Sequence, residues 1–145
     1  MAQPVVVCGR NPKVSEAVRA NLVPEYEVIH ILMSLEAAQA DIPDLLSGKA
    51  PADPASNKGS QNYTSTPVAV CIGGGYDDNA FDSMRKASTG LAGVPWLRPD
   101  KSRLAEMPPR NDPEGYGKAT AERIKVALDD LREQGVFGKD GVYLY

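Results

Sequence analysis

The sequence is poor in the residues that build metal and disulfide sites. It has one histidine, His30, and two cysteines, Cys8 and Cys71, far apart in the chain. One imidazole and two distant thiols cannot supply the four-ligand set of a structural zinc site. Two cysteines without a paired spacing point to free thiols in an intracellular chain rather than a disulfide framework. No stretch approaches the ~20 consecutive apolar residues that a membrane helix needs. The first residues carry no positive segment ahead of the short apolar run Val5 to Cys8, so no secretory leader is expected and a cytoplasmic protein is predicted. Positive charge is not in excess either. Sixteen Lys and Arg stand against nineteen Asp and Glu, for a net charge of −3, which gives no footprint for nucleic acid. The nucleotide motifs are also missing: the Walker pattern is absent, and Gly9-Arg10-Asn11 lacks the second and third glycines of the dinucleotide fingerprint. No cofactor and no metal are therefore predicted.

What is present is an alternation of apolar β-forming runs with amphipathic helical segments over 145 residues, the length of one domain. Val5 to Cys8 reads as a strand, broken by a tight turn at Gly9. Asn11 and Pro12 then supply a cap and a first turn for a helix carrying Val14, Ala17 and Val18. Tyr26 to Leu32 is a second strand, with His30 in its middle as a packed histidine. Ser34 caps a helix that Pro43 should kink or restart near Asp41. Residues 47–66 are rich in Gly, Ala, Pro, Ser and Asn. They predict a long flexible loop, read either as a mobile lid or as a tolerated surface insertion. Val68 to Ile72 is the third strand, and Val94 to Leu97 a fourth, poor one because of Pro95. Residues 98–113 hold four prolines and read as irregular. Asp112, Pro113 and Gly135 then bound the strongest helix. The apolar tail 138–145 either adds a terminal strand or docks on a partner chain, which makes a homodimer an option. Such alternation predicts an α/β fold: one small open parallel sheet of about four strands with helices on both faces, flavodoxin-like or half-Rossmann. In a 2-1-3-4 order, Cys8 and Cys71 would lie on neighbouring strands as two buried thiols.

Ligands of open α/β sheets collect at the carboxyl ends of the strands, where the strand order reverses. That rule selects Arg10 and Asn11 after the first strand, and Gly74, Gly75 and Tyr76 after the third. The pair Asp77 and Asp78 comes next: one is expected to cap the following helix, the other to face the crevice as an acid or base. Trp96 and Arg98, at the end of the fourth strand, suit an aromatic, anionic ligand. Tyr116 and Lys118 begin the last helix on the same side. The candidate catalytic residues are thus Asp77, Asp78 and Arg98. The candidate binding residues are Arg10, Asn11, Gly74, Gly75, Tyr76, Trp96, Tyr116 and Lys118.

The segments Val5 to Arg10, Pro24 to His30, Gly73 to Asp78, Val94 to Asp100, Gly115 to Lys118 and Asp140 to Tyr143 together resemble a family of small fungal Rossmann-like proteins. The resemblance covers nearly the whole chain. Some members of that family are associated with natural-product clusters. One branch is similar to cofactor-free cyclases of phenalenone-type pathways, which add a phenol hydroxyl across a prenyl alkene. The resemblance thus implies a cofactor-independent hydroalkoxylation cyclase acting on an aromatic polyketide, and it carries no residue roles. The residues alone leave open an NAD(P)-binding protein, or a non-catalytic binding or dimerisation module.

Overall fold

The computed structural model describes residues 2–145. Five strands form one all-parallel sheet in the order 2-1-3-4-5. The strands are β1 (Gln3–Cys8), β2 (Tyr26–Leu32), β3 (Ala69–Ile72), β4 (Pro95–Arg98) and β5 (Gly141–Leu144), and the helices are α1 (Pro12–Leu22), α2 (Leu35–Leu46), α3 (Asp78–Ala87) and α4 (Pro113–Glu133). A short 3₁₀ segment, Lys101–Glu106, stands between β4 and α4. The expected open parallel sheet is present, and the tail supplies its fifth strand: Pro95 to Arg98 pairs in register with Gly141 to Leu144.

Alternation along the strands divides the core in two. Val6, Cys8, Val70, Ile72 and Trp96 face α2 and α3. Val5, Val7, Ala69, Cys71 and Leu97 face α1 and α4. Cys8 and Cys71 lie on adjacent strands, offset by one residue, since Cys71 pairs with Val7. A one-residue offset puts the thiols on opposite faces, so both stay free and buried. Burial pushes each thiol up, that of Cys71 to about 12.

The caps read from the sequence are in place. Asn11 accepts hydrogen bonds from the Lys13 and Val14 amides, Ser34 from Ala37, Asp77 from Ala80 and Asp112 from Gly115. Helix α2 does not restart near Asp41 but continues through Pro43 to Leu46. Pro43 forfeits its own amide bond, and the neighbouring bonds of the ladder carry the helix on. Helix α4 packs close on α1 because Gly117 has no side chain: a Cβ there would lie 2.5 Å from the Ala17 Cβ and 2.7 Å from the Val14 carbonyl oxygen.

Residues 47–66 contain no helix or strand, yet they are not a lid over the sheet's carboxyl end. They cover the free edge of β2. The amides of Ser60 and Gln61 donate to the Val28 and Ile29 carbonyls, and the Asn57 side chain bonds both the amide and the carbonyl of Ile31. Tyr63 closes the cover by donating to His30 Nδ1 at 2.7 Å, while His30 Nε2 donates to Asp41 at 2.9 Å. His30 is thus the packed histidine expected. Its ring is re-aimed toward α2 by a register shift between β1 and β2, where Val5 pairs with Val28 and Val6 with His30.

Candidate functional site

Strands β1 and β3 end side by side. Cys8 pairs with Ile72, and the Gly73 amide donates to the Cys8 carbonyl at 2.7 Å. Beyond this point one chain turns up into α1 and the other toward α3, so a crevice opens between them, as the strand-order rule requires. It has two adjoining lobes. The inner lobe, about 70 Å3, lies on the α1/α4 face among Val7, Val18, Cys71 and Ile124, beneath Leu104 and Met107. The outer lobe, about 180 Å3, opens above the switch point between Gly9, Arg10, Asn11, Gly73 to Gly75 and Arg110. Six residues line both lobes, Gly9, Gly73 and Gly74 at the strand ends and Val14, Ser15 and Tyr116 on the helices, and the neck lies where they meet.

The candidates of the first and third loops meet here. Arg10, Asn11, Gly74, Gly75 and Tyr116 all line the outer lobe. Gly75 makes room for Arg10: a Cβ at Gly75 would come within 3.0 Å of the Arg10 side chain. Tyr76 lies beneath the loops rather than in the crevice. It is buried, its hydroxyl donates to the Gly9 carbonyl at 2.8 Å, and Arg10 stacks 4.7 Å above its ring. Burial is the main reason its phenol is pushed up to about 12, with Arg10 opposing.

The remaining candidates are placed elsewhere by strand parity. Trp96 pairs with Val70 and shares its face, so the indole points away from the crevice. It is 2% exposed, edge-on to Phe81 and beneath Arg85. Arg98 points to the same side, where it pairs with Asp78 at 2.8 Å and lies 4.3 Å over the Phe81 ring. Asp77 is occupied as the cap of α3. Asp100 does not pair with Arg98. It accepts from the amide and hydroxyl of Ser102, and these bonds hold its carboxyl below the usual range. Lys118 lines a separate groove on the outer surface between α1 and α4.

Thr120, Arg123, Tyr145 and Arg110 line the crevice and were not among the candidates. Tyr116, Thr120 and Arg123 stand at i, i+4 and i+7 on α4, a polar stripe beside the apolar one, and all three line the inner lobe. Helical spacing alone shows Thr120 and Arg123 sharing a face with Tyr116. Tyr145 closes the lobe from β5: its buried hydroxyl donates to the Ile72 carbonyl at 2.8 Å, and burial pushes its phenol well above the ordinary range. Arg110 reaches the outer lobe from the proline-rich segment. Among the described residues no group of three His, Cys, Asp or Glu side chains could hold a metal ion. The first-turn amides of α1, where a pyrophosphate would sit in a dinucleotide fold, are capped by Asn11 at 3.0 and 3.4 Å.

A 2-1-3-4-5 parallel sheet with a crevice at its β1/β3 switch point defines an open, doubly wound α/β protein of flavodoxin-like order. No family model matches the chain, and no solved structure matches it. The chain belongs to the family of the kojic acid related protein 6 of Aspergillus oryzae, to which it is 37% identical over 145 residues, spanning 97% of this chain and 84% of the relative.

Proposed function

We propose that the protein is a cofactor-independent cyclase of fungal natural-product biosynthesis. It takes a small prenylated phenol into the switch-point crevice and adds the phenol hydroxyl across the alkene. The observation that carries this reading is the pairing of a small apolar lobe with a larger, arginine-rimmed one across a neck occupied by Tyr116. The inner lobe is lined mainly by apolar side chains, among them Val7, Val18 and Ile124, and suits a branched alkene by its polarity. The outer lobe suits the ring, and Arg10 and Arg110 favour the negative charge that develops on a ring hydroxyl as its proton leaves. The relative's name associates that protein with kojic acid, itself a small ring with an acidic enolic hydroxyl, and a ring of that kind fits the outer lobe.

The reaction is an isomerisation. The O–H bond breaks, and C–O and C–H bonds form, so no oxidant or reductant is needed. The proton goes to the less substituted alkene carbon, and the oxygen captures the tertiary cation. Holding branch and hydroxyl together at the neck supplies the orientation that such a ring closure needs. The substrate's own phenol is the proton source, and Tyr116 relays the proton in this scheme. Asp77 keeps its capping role and Asp78 its pairing with Arg98 in this scheme. The purified protein should convert an ortho-prenylphenol to the cyclic ether with no nucleotide added and with chelator present. Binding without conversion would leave a non-catalytic carrier, and conversion only with NADPH would make it a reductase.

A further inference from the structure

We propose that Arg123 is the residue that holds the reacting oxygen, and that Glu106 is its resting counter-ion, displaced as negative charge develops on the oxygen of a bound phenol. The inference rests on the crevice being a phenol site, and it names the cation that meets the phenolate and the segment that responds. Arg123 projects from the polar stripe of α4 into the inner lobe, and its side chain is only 15% exposed. A cation so placed needs a carboxylate partner. Two are near. Asp100 already accepts two bonds from Ser102, at 3.0 and 2.6 Å. Glu106 reaches Arg123 with one oxygen at 3.7 Å and Arg103 with the other at 3.4 Å. Both contacts are longer than the roughly 2.7–2.9 Å of a strong charge-assisted bond. Asp100 is therefore committed, and Glu106 is exchangeable.

Glu106 sits on the 3₁₀ segment that roofs the inner lobe with Leu104, and Met107 follows directly. Leu104 is 44% exposed, although it also lines the cavity. A phenol bound at the neck, as its O–H bond breaks, gives Arg123 a closer and drier partner. Glu106 is then left to Arg103, and Leu104 can settle on the apolar branch. Charge development on the oxygen and closure of the roof become one event. Arg123 is a binding group for the oxygen as its proton leaves; Glu106 is a positioning residue that acts through Arg123.

The probe is para-nitrophenol, whose phenolate absorbs visible light, titrated with pH in the presence of excess protein. In the wild type the bound phenol should ionise at lower pH than the free one. Arg123→Gln should return its pKa to near the free value and weaken binding about tenfold, a one-unit shift being a tenfold change. Arg123→Lys should keep most of the shift, which separates charge from packing. Glu106→Gln should strengthen phenolate binding several-fold. It should also speed tryptic cleavage after Lys101 and Arg103 in the free protein, and ligand should suppress that cleavage. An unchanged bound pKa in Arg123→Gln, with the shift lost instead in Arg10→Gln or Arg110→Gln, overturns the assignment and leaves the crevice reading intact. No binding to the wild type overturns both.

Discussion

Single residues decide which charged groups are free to act. Asp77 and Asp78 are adjacent in sequence but differ in role, because Asp77 caps α3 while Asp78 carries the Arg98 guanidinium at 2.8 Å. Asp77→Ala should therefore lower stability by about 1 kcal/mol in denaturant unfolding. Asp78→Asn, at an ion pair whose carboxylate is mostly exposed, should cost less than about 1 kcal/mol, and both variants should retain activity. The buried phenol and thiol groups set an alkaline limit. Cys71 is moved from 9.0 and Tyr76 from 10.0, each to about 12, mainly by burial. The folded chain thus holds protons that the unfolded chain releases, so stability is complete below about pH 9 and falls as pH rises toward 12. Thermal unfolding across that range should show the fall. Tyr76→Phe should flatten its upper part, and it should cost about 1 kcal/mol at neutral pH for the bond lost to the Gly9 carbonyl.

At the scale of elements, α4 lies tightly on α1 at Gly117, next to the crevice residues Val14 and Tyr116. Gly117→Ala would press a methyl group onto Ala17 and the Val14 carbonyl. It should cost about 1–3 kcal/mol as overpacking, seen as a lower denaturant midpoint, and by pushing α4 off α1 it should widen the neck between Val14 and Tyr116. The sequence carried the elements well, because their signals are local: β-branched runs, four helix caps and turn glycines. It also led to the right end of the sheet, since Gly9 and Gly73 had to meet if β1 and β3 were neighbours. It did not show the face. Whether Trp96 or Leu97 looks toward the crevice depends on how β4 registers against β3, and a shift of one residue exchanges them. The observed register, Val70 with Trp96, takes Trp96 and Arg98 to the α3 face. Arg123 was legible in principle from its spacing to Tyr116, but nothing local distinguishes it from the other charges of that helix. The placement of residues 47–66 was not legible. It depends on Asn57 finding the backbone of Ile31 at the open edge of β2, a non-local match with no local signature.

The whole molecule is a sheet with two differently managed edges. Residues 57–63 cover β2, whereas β5 is the other outer strand, and it leaves Val142 and Leu144 46% and 58% exposed. An outer strand with such side chains is a natural place for a second copy to pair. The same strand leads into Tyr145, which walls the inner lobe and bonds the end of β3. Removing residues 142–145 should therefore do more than separate any dimer. Thermal stability should fall, and the inner lobe should open to solvent, which hydrogen exchange at the β4 amides would register. A truncated chain with unchanged stability would show the tail to be an interface alone. Among the described residues no helix is long and apolar enough to cross a membrane.

The central claim is that chemistry occurs in the crevice at the β1/β3 switch point, without a bound nucleotide. Val14 lines both lobes and is only partly buried, so Val14→Trp should fill the neck while the chain still folds. The decisive measurement is the rate of cyclic-ether formation from an ortho-prenylphenol by the wild type and by Val14→Trp, both pure and free of nucleotide. The account predicts steady conversion by the wild type and loss of at least about a hundredfold in the variant, as expected when reacting groups are displaced by an ångström or more. Equal rates in the two proteins, or no conversion by the wild type, would contradict it.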